Sequence, residues 1–492
     1  MSKISLKNNY CFYFLLIIAL IFSSIISYEN IGFDLYFNYK YKDYSDYFRG
    51  LLTGERVLAY NDLSTFPMWG YGLVRLLLKS KFNILIFQQL LNFITFIEVD
   101  RFLIKVEKIK NINFSRCLML ISLPLFFFHT QMWPKSISSS ILILSILQLF
   151  YYLKNKKISK LVYTGILLGL LSNLRSDYLF FIFILPFFLL FYEFYQNRGL
   201  KLNSFKVFIM PVIVLIFLVP WSNYTFSKTN HYLLNSTNTG HVLFIGLGQL
   251  PNNIWGITPI DNDSKMMGFL INEFEQDTTS RRSKFSSFSY SSNEFEQDTI
   301  SRWGKFSSFS YSSNEFLKKK FTSLVLDNPW EWIKKCIYSL RLLILDPFYV
   351  GNVADFQHND VSNIGEIRTL EKAVYQFDFH QSYKILIETN WLFSTKEIFE
   401  ILITILTKLI GLAIFITSVV TISLTILKYP KSIFNDSTLL LSYLLLAYQL
   451  SISVFAFHMP VYNSSIYLIY LIILTLFFNK LFSIKQKIAI NK

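Results

Sequence analysis

Long apolar runs separated by short, lysine-rich pieces set the pattern of this chain. Runs long enough to cross about 30 Å of hydrocarbon fall near residues 10–27, 84–99, 117–132, 137–153, 161–174, 178–194, 207–221, 401–427, 439–457 and 465–479. They predict about ten transmembrane helices. The second run carries Gln88, Gln89, Asn92 and Glu98, so it either faces the bundle or is no span. The first could be a cleaved signal peptide, since small residues in "SSIIS" follow a basic start. In either case the segment after it lies outside.

Lys and Arg in short loops stay on the cytoplasmic side, and their distribution tests the count. With the amino terminus inside, the inside pieces hold twenty Lys and Arg, among them Arg101, Arg116, Lys154, Arg198 and Lys480, while the short outside loops hold only Lys135 and Arg175. A ten-span chain with both termini inside separates the charges cleanly. Two long pieces then fall outside, residues 28–80 and 222–400. The expected organisation is an amino-terminal membrane module (1–221) containing the first outer loop, an extracytoplasmic segment (222–400), and a carboxy-terminal membrane module (401–492). In the middle segment, "LVLDNPWEWIKKCIYSLRLLILDPFYV" reads as an interfacial helix followed by a partly buried one.

Composition agrees with this reading. The 492 residues are 52% hydrophobic and only 16% charged, against about 25% charge in soluble domains. The net charge of +15 does not imply nucleic acid, because the basic residues sit between apolar runs rather than on one folded face. Cys11, Cys117 and Cys336 follow no metal or CxxC spacing, so neither disulfides nor a thiolate site is expected.

One segment repeats itself. Residues 272–292 return at 293–313 with 18 of 21 positions identical, and a third copy begins at Asn314. Two copies make no solenoid, which needs three or more units to bury a core. Twenty-one residues are also close to six helical turns, so a helix entering at the first "NEF" leaves the third nearly in phase. The duplication is expected to be a tolerated loop expansion.

The candidate chemistry lies elsewhere. The first outer loop reads "KDYSDYFRGLLTGE", placing Asp43 and Asp46 on one turn, with Tyr47 and Gly54 ahead of "TFPMWGYG". Together with "GILLGLLSNLRSDYLFFIFILPFFLL" and "FAFHMPVYNSSIYLIYLIIL", this resembles the membrane-embedded C-type (GT-C) glycosyltransferases, the kin of protein mannosyltransferases and the aminoarabinose transferase of lipid A. The resemblance covers most of residues 1–222 and the last helices. It implies an all-α polytopic bundle with outer-face loops and a mainly helical extracytoplasmic segment. It also implies a polyprenyl-phosphate sugar donor, with a lipid, glycan or protein as acceptor. The chain departs from the family pattern at three places. No carboxylate occurs in "HTQMWPKS", Ser176 and then Asp177 follow the Arg where a Pro is common, and Val461 stands where an Arg is usual.

Such a transfer needs a base for the acceptor hydroxyl and cationic or hydrogen-bonding partners for the leaving phosphate. Asp43 is the first candidate base, Asp46 the second and Asp34 the third. Arg175 at an outer helix end suits the donor phosphate, with Lys135 beside it in role. His458 and Tyr462 are candidates for contact with substrate. Each has a structural alternative: a solvated carboxylate, a snorkelling cation, a helix-end imidazole. No metal or cofactor is expected, since metal-ligand motifs and nucleotide loops do not occur. Asp261 and Asp263 in "TPIDNDSK" read as a solvated loop. Lys408, within an apolar run, is expected to snorkel or to pair inside the bundle.

Two other classes compete. A surface polysaccharide polymerase or ligase would rely on basic outer-loop residues such as Arg281, Arg282 and Arg302. A transporter would show two related halves with broken helices, and no corresponding pair of segments occurs. The acidic loop after the first span and the large outer segment after the seventh favour the transferase, working on the outer face of a bacterial plasma membrane.

Overall fold

Runs of apolar residues without backbone partners in lipid must satisfy their own N–H and C=O groups, which favours helices. A computed structural model describes residues 10–21, 24, 68–109, 111–122, 134–199, 202–260, 263–281, 310–348, 379–388, 395–428, 436–459 and 463–490. Among the described residues, regular structure is helical and no strand occurs.

The first membrane module holds α1 (Tyr10–Ile21), α2 (Gly70–Leu78), α3 (Lys81–Lys105), α4 (Ile112–Ile121), α5 (Pro134–Asn155), α6 (Ile158–Leu174), α7 (Leu179–Asn197) and α8 (Ile209–Thr229). The middle segment holds α9 (Thr239–Leu247), α10 (Ser264–Arg281), α11 (Tyr311–Asp327), α12 (Pro329–Leu345) and α13 (Phe379–Glu388). The last module holds α14 (Thr395–Lys428), α15 (Ser437–Ser451), a π-helical turn (Ile452–Ala456) and α16 (Tyr467–Ile490). All ten apolar runs overlap helices. Among the described residues, six stretches are long and apolar enough to cross a membrane: 82–105, 135–155, 176–196, 204–226, 405–427 and 437–456. Tyr10–Ile21, Ile112–Ile121, Ile158–Leu174 and Tyr467–Lys480 form shorter apolar helices.

The bundle is organised around α5, whose apolar window is 89% buried. It packs against α3, α6 and α15. Small side chains permit the close approach, for Ser136, Ser138, Ser139, Ser140 and Ser145 are all buried on it. The next interface, α6 on α8, uses the same device. A Cβ on Gly169 would lie 2.7 Å from the Phe217 ring, and one on Gly165 3.0 Å from Ile213.

Polar contacts sort the helix ends into two groups. At the carboxy-terminal end of α5, Lys154 pairs with Glu107 at 3.3 Å and Lys156 with Glu193 at 2.7 Å. Glu107 also accepts from the Thr438 hydroxyl at 2.7 Å, and Lys480 pairs with Asp436 at 3.3 Å. These contacts gather the lysine-rich pieces at one end, about 30 Å along the helix from Lys135. Arg116 is not a loop charge as its place in the count implied. It sits on α4 with its Nε 2.9 Å from Asp100 Oδ1 and a second nitrogen 2.8 Å from Oδ2. Tyr13 donates to the same carboxylate at 2.9 Å, which ties α1, α3 and α4 together.

The middle segment has a smaller core of its own, in which Phe244 and Leu247 of α9, Trp255, Met266 and Leu270 of α10, and Leu317 of α11 are buried. The openings of the first and third copies fall on different helices. The first "NEF" lies on α10 with Asn272 and Glu273 exposed, whereas the third lies on α11 with Asn314 and Leu317 buried. The difference is the next residue: Leu317 follows the third copy, where Glu275 and Glu296 follow the others, and only the leucine can be buried cheaply. Asn314 then accepts from the Gly240 N–H at 2.8 Å. Residues 282–309 lie outside the described residues.

Asp263 is likewise no solvated loop residue. It is buried and caps α10, accepting from Met266 N at 2.8 Å and from Thr258 N and Oγ1 at 2.8 and 2.6 Å. Asp261 lies outside the described residues. On α12, Lys335, Ser339 and Leu343 form the buried stripe, while Trp330, Ile337, Leu340 and Ile344 are exposed. A helix that turns its polar stripe inward and its apolar face outward suits an apolar surrounding. Lys408 of α14, expected either to snorkel or to pair, lies 3.9 Å from Asp346.

The Asp100–Arg116 pair yields a test of this architecture. Removing one member of a buried pair leaves an uncompensated charge and costs about 3–5 kcal/mol. Arg116→Met should lower the thermal midpoint of the detergent-purified protein sharply, and Arg116→Met with Asp100→Leu should recover much of the loss.

Candidate functional site

The break between α6 and α7 builds the first polar cluster. Leu174 is the last helical residue of α6 because Arg175 turns extended, with φ −149° and ψ 116°, after its N–H closes on Leu171 O at 2.8 Å. A 3-10 turn at Ser176–Tyr178 then starts α7. The Arg175 side chain is therefore held at a helix break, only 7% exposed. Its Nε donates to Asp177 Oδ1 at 2.9 Å, and a terminal nitrogen donates to Asp177 Oδ2. The other terminal nitrogen donates to the Ser465 hydroxyl at 3.0 Å. Its flat face lies 5.1 Å from the centre of the Tyr178 ring.

Each partner is fixed in turn. The Ser465 carbonyl accepts from Ser139 of α5 at 2.7 Å, and the Asp177 carbonyl accepts from the Tyr448 hydroxyl of α15. Lys135, in the first turn of α5, stands close enough for its charge to act on both Arg175 and Asp177. Next to this, the Ser176 and Ser236 hydroxyls lie 2.9 Å apart. Asn173 receives the Trp69 indole N–H and donates to Gly169 O at 2.9 Å and Phe217 O at 3.1 Å. A Cβ on Gly70 would lie 2.5 Å from Asn173 O, so α2 meets the end of α6 backbone to backbone. Along the first half of α3 runs an apolar groove of about 800 Å³ against α1, lined by Leu20, Phe82, Leu85 and Phe93 with Ser24 and Gln89 as its polar members.

Three sequence segments thus meet at one end of the bundle: "MWGYG" through Trp69 and Gly70, "SNLRSD" through Asn173, Arg175 and Asp177, and "NSS" through Ser465. Of the candidates named from sequence, Arg175 and Lys135 share this cluster. Asp43, Asp46 and Tyr462 lie outside the described residues. Asp177, Ser465 and Tyr448 were missed. Asp177 was signalled by its place two residues after an Arg at a helix break, and Ser465 by its position ahead of an apolar run; nothing local signalled Tyr448.

His458 belongs to a second cluster. The carbonyls of the π-helical turn lack the usual helix acceptor pattern, and Lys335 Nζ donates to Val454, Phe455 and Ala456 O at 3.0, 3.4 and 2.6 Å. A Cβ on Gly246 would lie 2.1 Å from Ala456 O, so α9 also presses on this turn. Gln249 holds the next residues, donating to His458 O at 2.9 Å and accepting from His458 N at 2.8 Å. The His458 ring is buried beside the Asp346 backbone. Burial pushes the imidazole down to about 4, with the Lys335 charge acting the same way. Burial pushes the Lys335 ammonium down to about 8, while its three carbonyl partners favour the charged form. This is the geometry of a clamp that joins the middle segment to the last membrane module. No group of three His, Cys, Asp or Glu side chains placed to hold a metal occurs among the described residues.

The clamp predicts a pH dependence. The unfolded imidazole takes a proton near 6.5 and the folded one near 4, so the unfolded state binds more protons across that window. Stability contributed by neutral His458 is present above 6.5 and is lost as pH falls toward 4, by up to about 3 kcal/mol. Thermal unfolding between pH 7 and 4.5 should show a shallower loss in His458→Gln than in the parent protein. Compared with family models, curated proteins and solved structures, the chain matches none of them.

Proposed function

We propose that the protein is a membrane-embedded glycosyltransferase that moves a sugar from a polyprenyl-phosphate carrier to an acceptor on the outer face of a bacterial plasma membrane. In this reading the chain crosses ten times as a C-type bundle with both termini inside. The observation that carries it is the meeting of Arg175, Lys135 and Ser465 at the end of the bundle opposite the lysine-rich pieces. A guanidinium held at a helix break, hydrogen-bonded to a neutral hydroxyl 290 residues away in the chain, suits a phosphate that must gain charge as it leaves.

The chemistry follows from that placement. The acceptor hydroxyl gives its proton to a first-loop carboxylate, Asp43 or Asp46, as its oxygen bonds to the anomeric carbon. The bond from that carbon to the phosphate oxygen breaks, and the electron pair leaves with the polyprenyl phosphate. Arg175 and Lys135 hold that growing charge. The isoprenoid chain would lie in the apolar groove beside α3.

The test is release of free polyprenyl phosphate from a panel of polyprenyl-phosphate sugars by the full chain in nanodiscs, with native membrane extract as acceptor. One donor should give release, and Asp43→Asn or Asp46→Asn should lower it by about 10²–10⁴-fold. Arg175→Ala should lower it by about 10²–10³-fold. Absence of release from every donor by the folded protein would overturn the proposal.

A further inference from the structure

We propose that α12 is a membrane-inserted helix that enters the bilayer at Lys335 and descends obliquely through the leaflet on the Arg175 side, with Ile337, Leu340 and Ile344 against lipid acyl chains. Only a membrane-embedded bundle is required, so sugar transfer has no bearing on it. On sequence alone this helix falls in the outer segment, 222–400.

Both ends of α12 can be placed against the long apolar helices. Lys335 donates to the carbonyls of residues 454–456, the last of the apolar stretch 437–456. That is the end of the bundle away from the Asp436–Lys480 pair. Past Lys335 the surroundings change: Trp332 packs on the core of the middle segment, whereas Leu343 and, just beyond the helix, Phe348 are buried in the core of the membrane bundle. The Phe348 ring stands 5.3 Å from Tyr470 and 6.4 Å from Phe415, and Asp346 lies 3.9 Å from Lys408. Phe415 is ten residues inside the apolar stretch 405–427, about 15 Å of helix, and Tyr470 is five residues past Ser465, about 7 Å. The thirteen residues from Lys335 to Phe348 cover about 20 Å at helical rise. A descent of about 7–15 Å over that length is oblique and stays within one leaflet of a hydrocarbon core about 30 Å thick. α14 enters from the same end, because its far end meets the start of α15, where Thr425 hydrogen-bonds Tyr443. The chain goes down with α12 and is back at that end by Thr395.

The outward face of this length fits hydrocarbon. From Cys336 to Leu345 the exposed residues are Ile337, Leu340 and Ile344, at 64%, 46% and 44%. With Trp330 and Ile333 they follow at steps of three and four and form one stripe, and a stripe of that size marks a contact surface. The occupant is lipid because α14, packed beside α12, itself exposes Ile405, Leu409 and Ile416 within its membrane stretch. The same length holds a single charge, Arg341. Helix side chains lean toward the amino terminus, which sends its guanidinium, 5.8 Å from the Tyr338 ring, up toward the headgroups. Trp330 and the exposed Lys334 stand ahead of the entry point, as interfacial residues do.

Spin labelling reads the depth. Lys334→Cys, Leu340→Cys and Ile344→Cys, each in the full chain with Cys11, Cys117 and Cys336 changed to alanine, would be labelled in nanodiscs of phosphatidylcholine and phosphatidylglycerol. Collisions with oxygen, which concentrates in hydrocarbon, should gain on collisions with a water-soluble nickel chelate in the order 334, 340, 344, and several-fold between the first and the last. Nickel collisions as frequent at Ile344→Cys as at Lys334→Cys would put α12 in water and overturn the proposal. Protection from both reagents at 340 and 344 would mean that protein, such as a second copy of the chain, covers the stripe in place of lipid, and would overturn it as well. Hydroxyl-radical labelling of the unsubstituted chain in the same nanodiscs gives a reading that no misfolded variant can spoil. Leu326 and Trp330 should be oxidised while Leu340 and Ile344 are spared, and equal oxidation of all four would contradict the insertion.

Discussion

A buried guanidinium in an apolar bundle cannot stand without partners, and Arg175 gathers its partners from distant parts of the chain. Removing a charge from water costs several kcal/mol unless it is paired and hydrogen-bonded. Here the helix break supplies Asp177 two residues on, and the start of the last helix supplies Ser465. Those partners are anchored to α5 and α15. The requirement to satisfy one cation thus fixes how α5, α6, α7, α15 and α16 meet. At the same end Asn173 draws in Trp69 and hence α2. The other end is held by a different economy of charge, in which lysines of the short connections pair with Glu107, Glu193 and Asp436.

Between these ends the middle segment is attached by a polar clamp rather than by apolar packing alone. Lys335 supplies donors to three consecutive carbonyls that the π-helical turn leaves without ordinary helix partners. Gly246 lets α9 approach the same turn. Gln249 then joins both edges of the His458 backbone. The same α12 that carries Lys335 inward presents isoleucine and leucine outward, so the element is polar toward protein and apolar toward its surroundings.

The helices were legible because composition alone marks them: each apolar run overlaps one. The gathering of lysine-rich pieces at one end was legible too, since charge bias needs no knowledge of contacts. Their acidic partners were not, because counting Lys and Arg ignores where Glu107 or Glu193 will land. Arg116 shows the cost of that rule, being an ion-paired helix residue that was counted as a loop charge. The opening of the third copy is buried for a local reason, the leucine that follows its "NEF" where a glutamate follows the first. Arg175 and Lys135 could be named from their positions at helix ends. Asp177 was read only as a departure from a family pattern, and Tyr448 and Ser465 became visible when segments nearly 300 residues apart came together. Lys335 and Lys334 are neighbours in sequence, yet about 100° apart around a helix, so only one of them could face the turn it clamps.

The proposed transfer stands or falls with a lipid-linked phosphate seated against Arg175. A cryo-electron microscopy map of the full chain in nanodiscs, prepared with a non-hydrolysable farnesyl-phosphoryl sugar analogue, tests it most directly. Phosphate density is expected within hydrogen-bonding distance of Arg175 and beside Lys135, with chain density running along α3 past Phe82 and Leu85. Analogue density bound elsewhere on the protein, with Arg175 holding only Asp177 and Ser465, would contradict it.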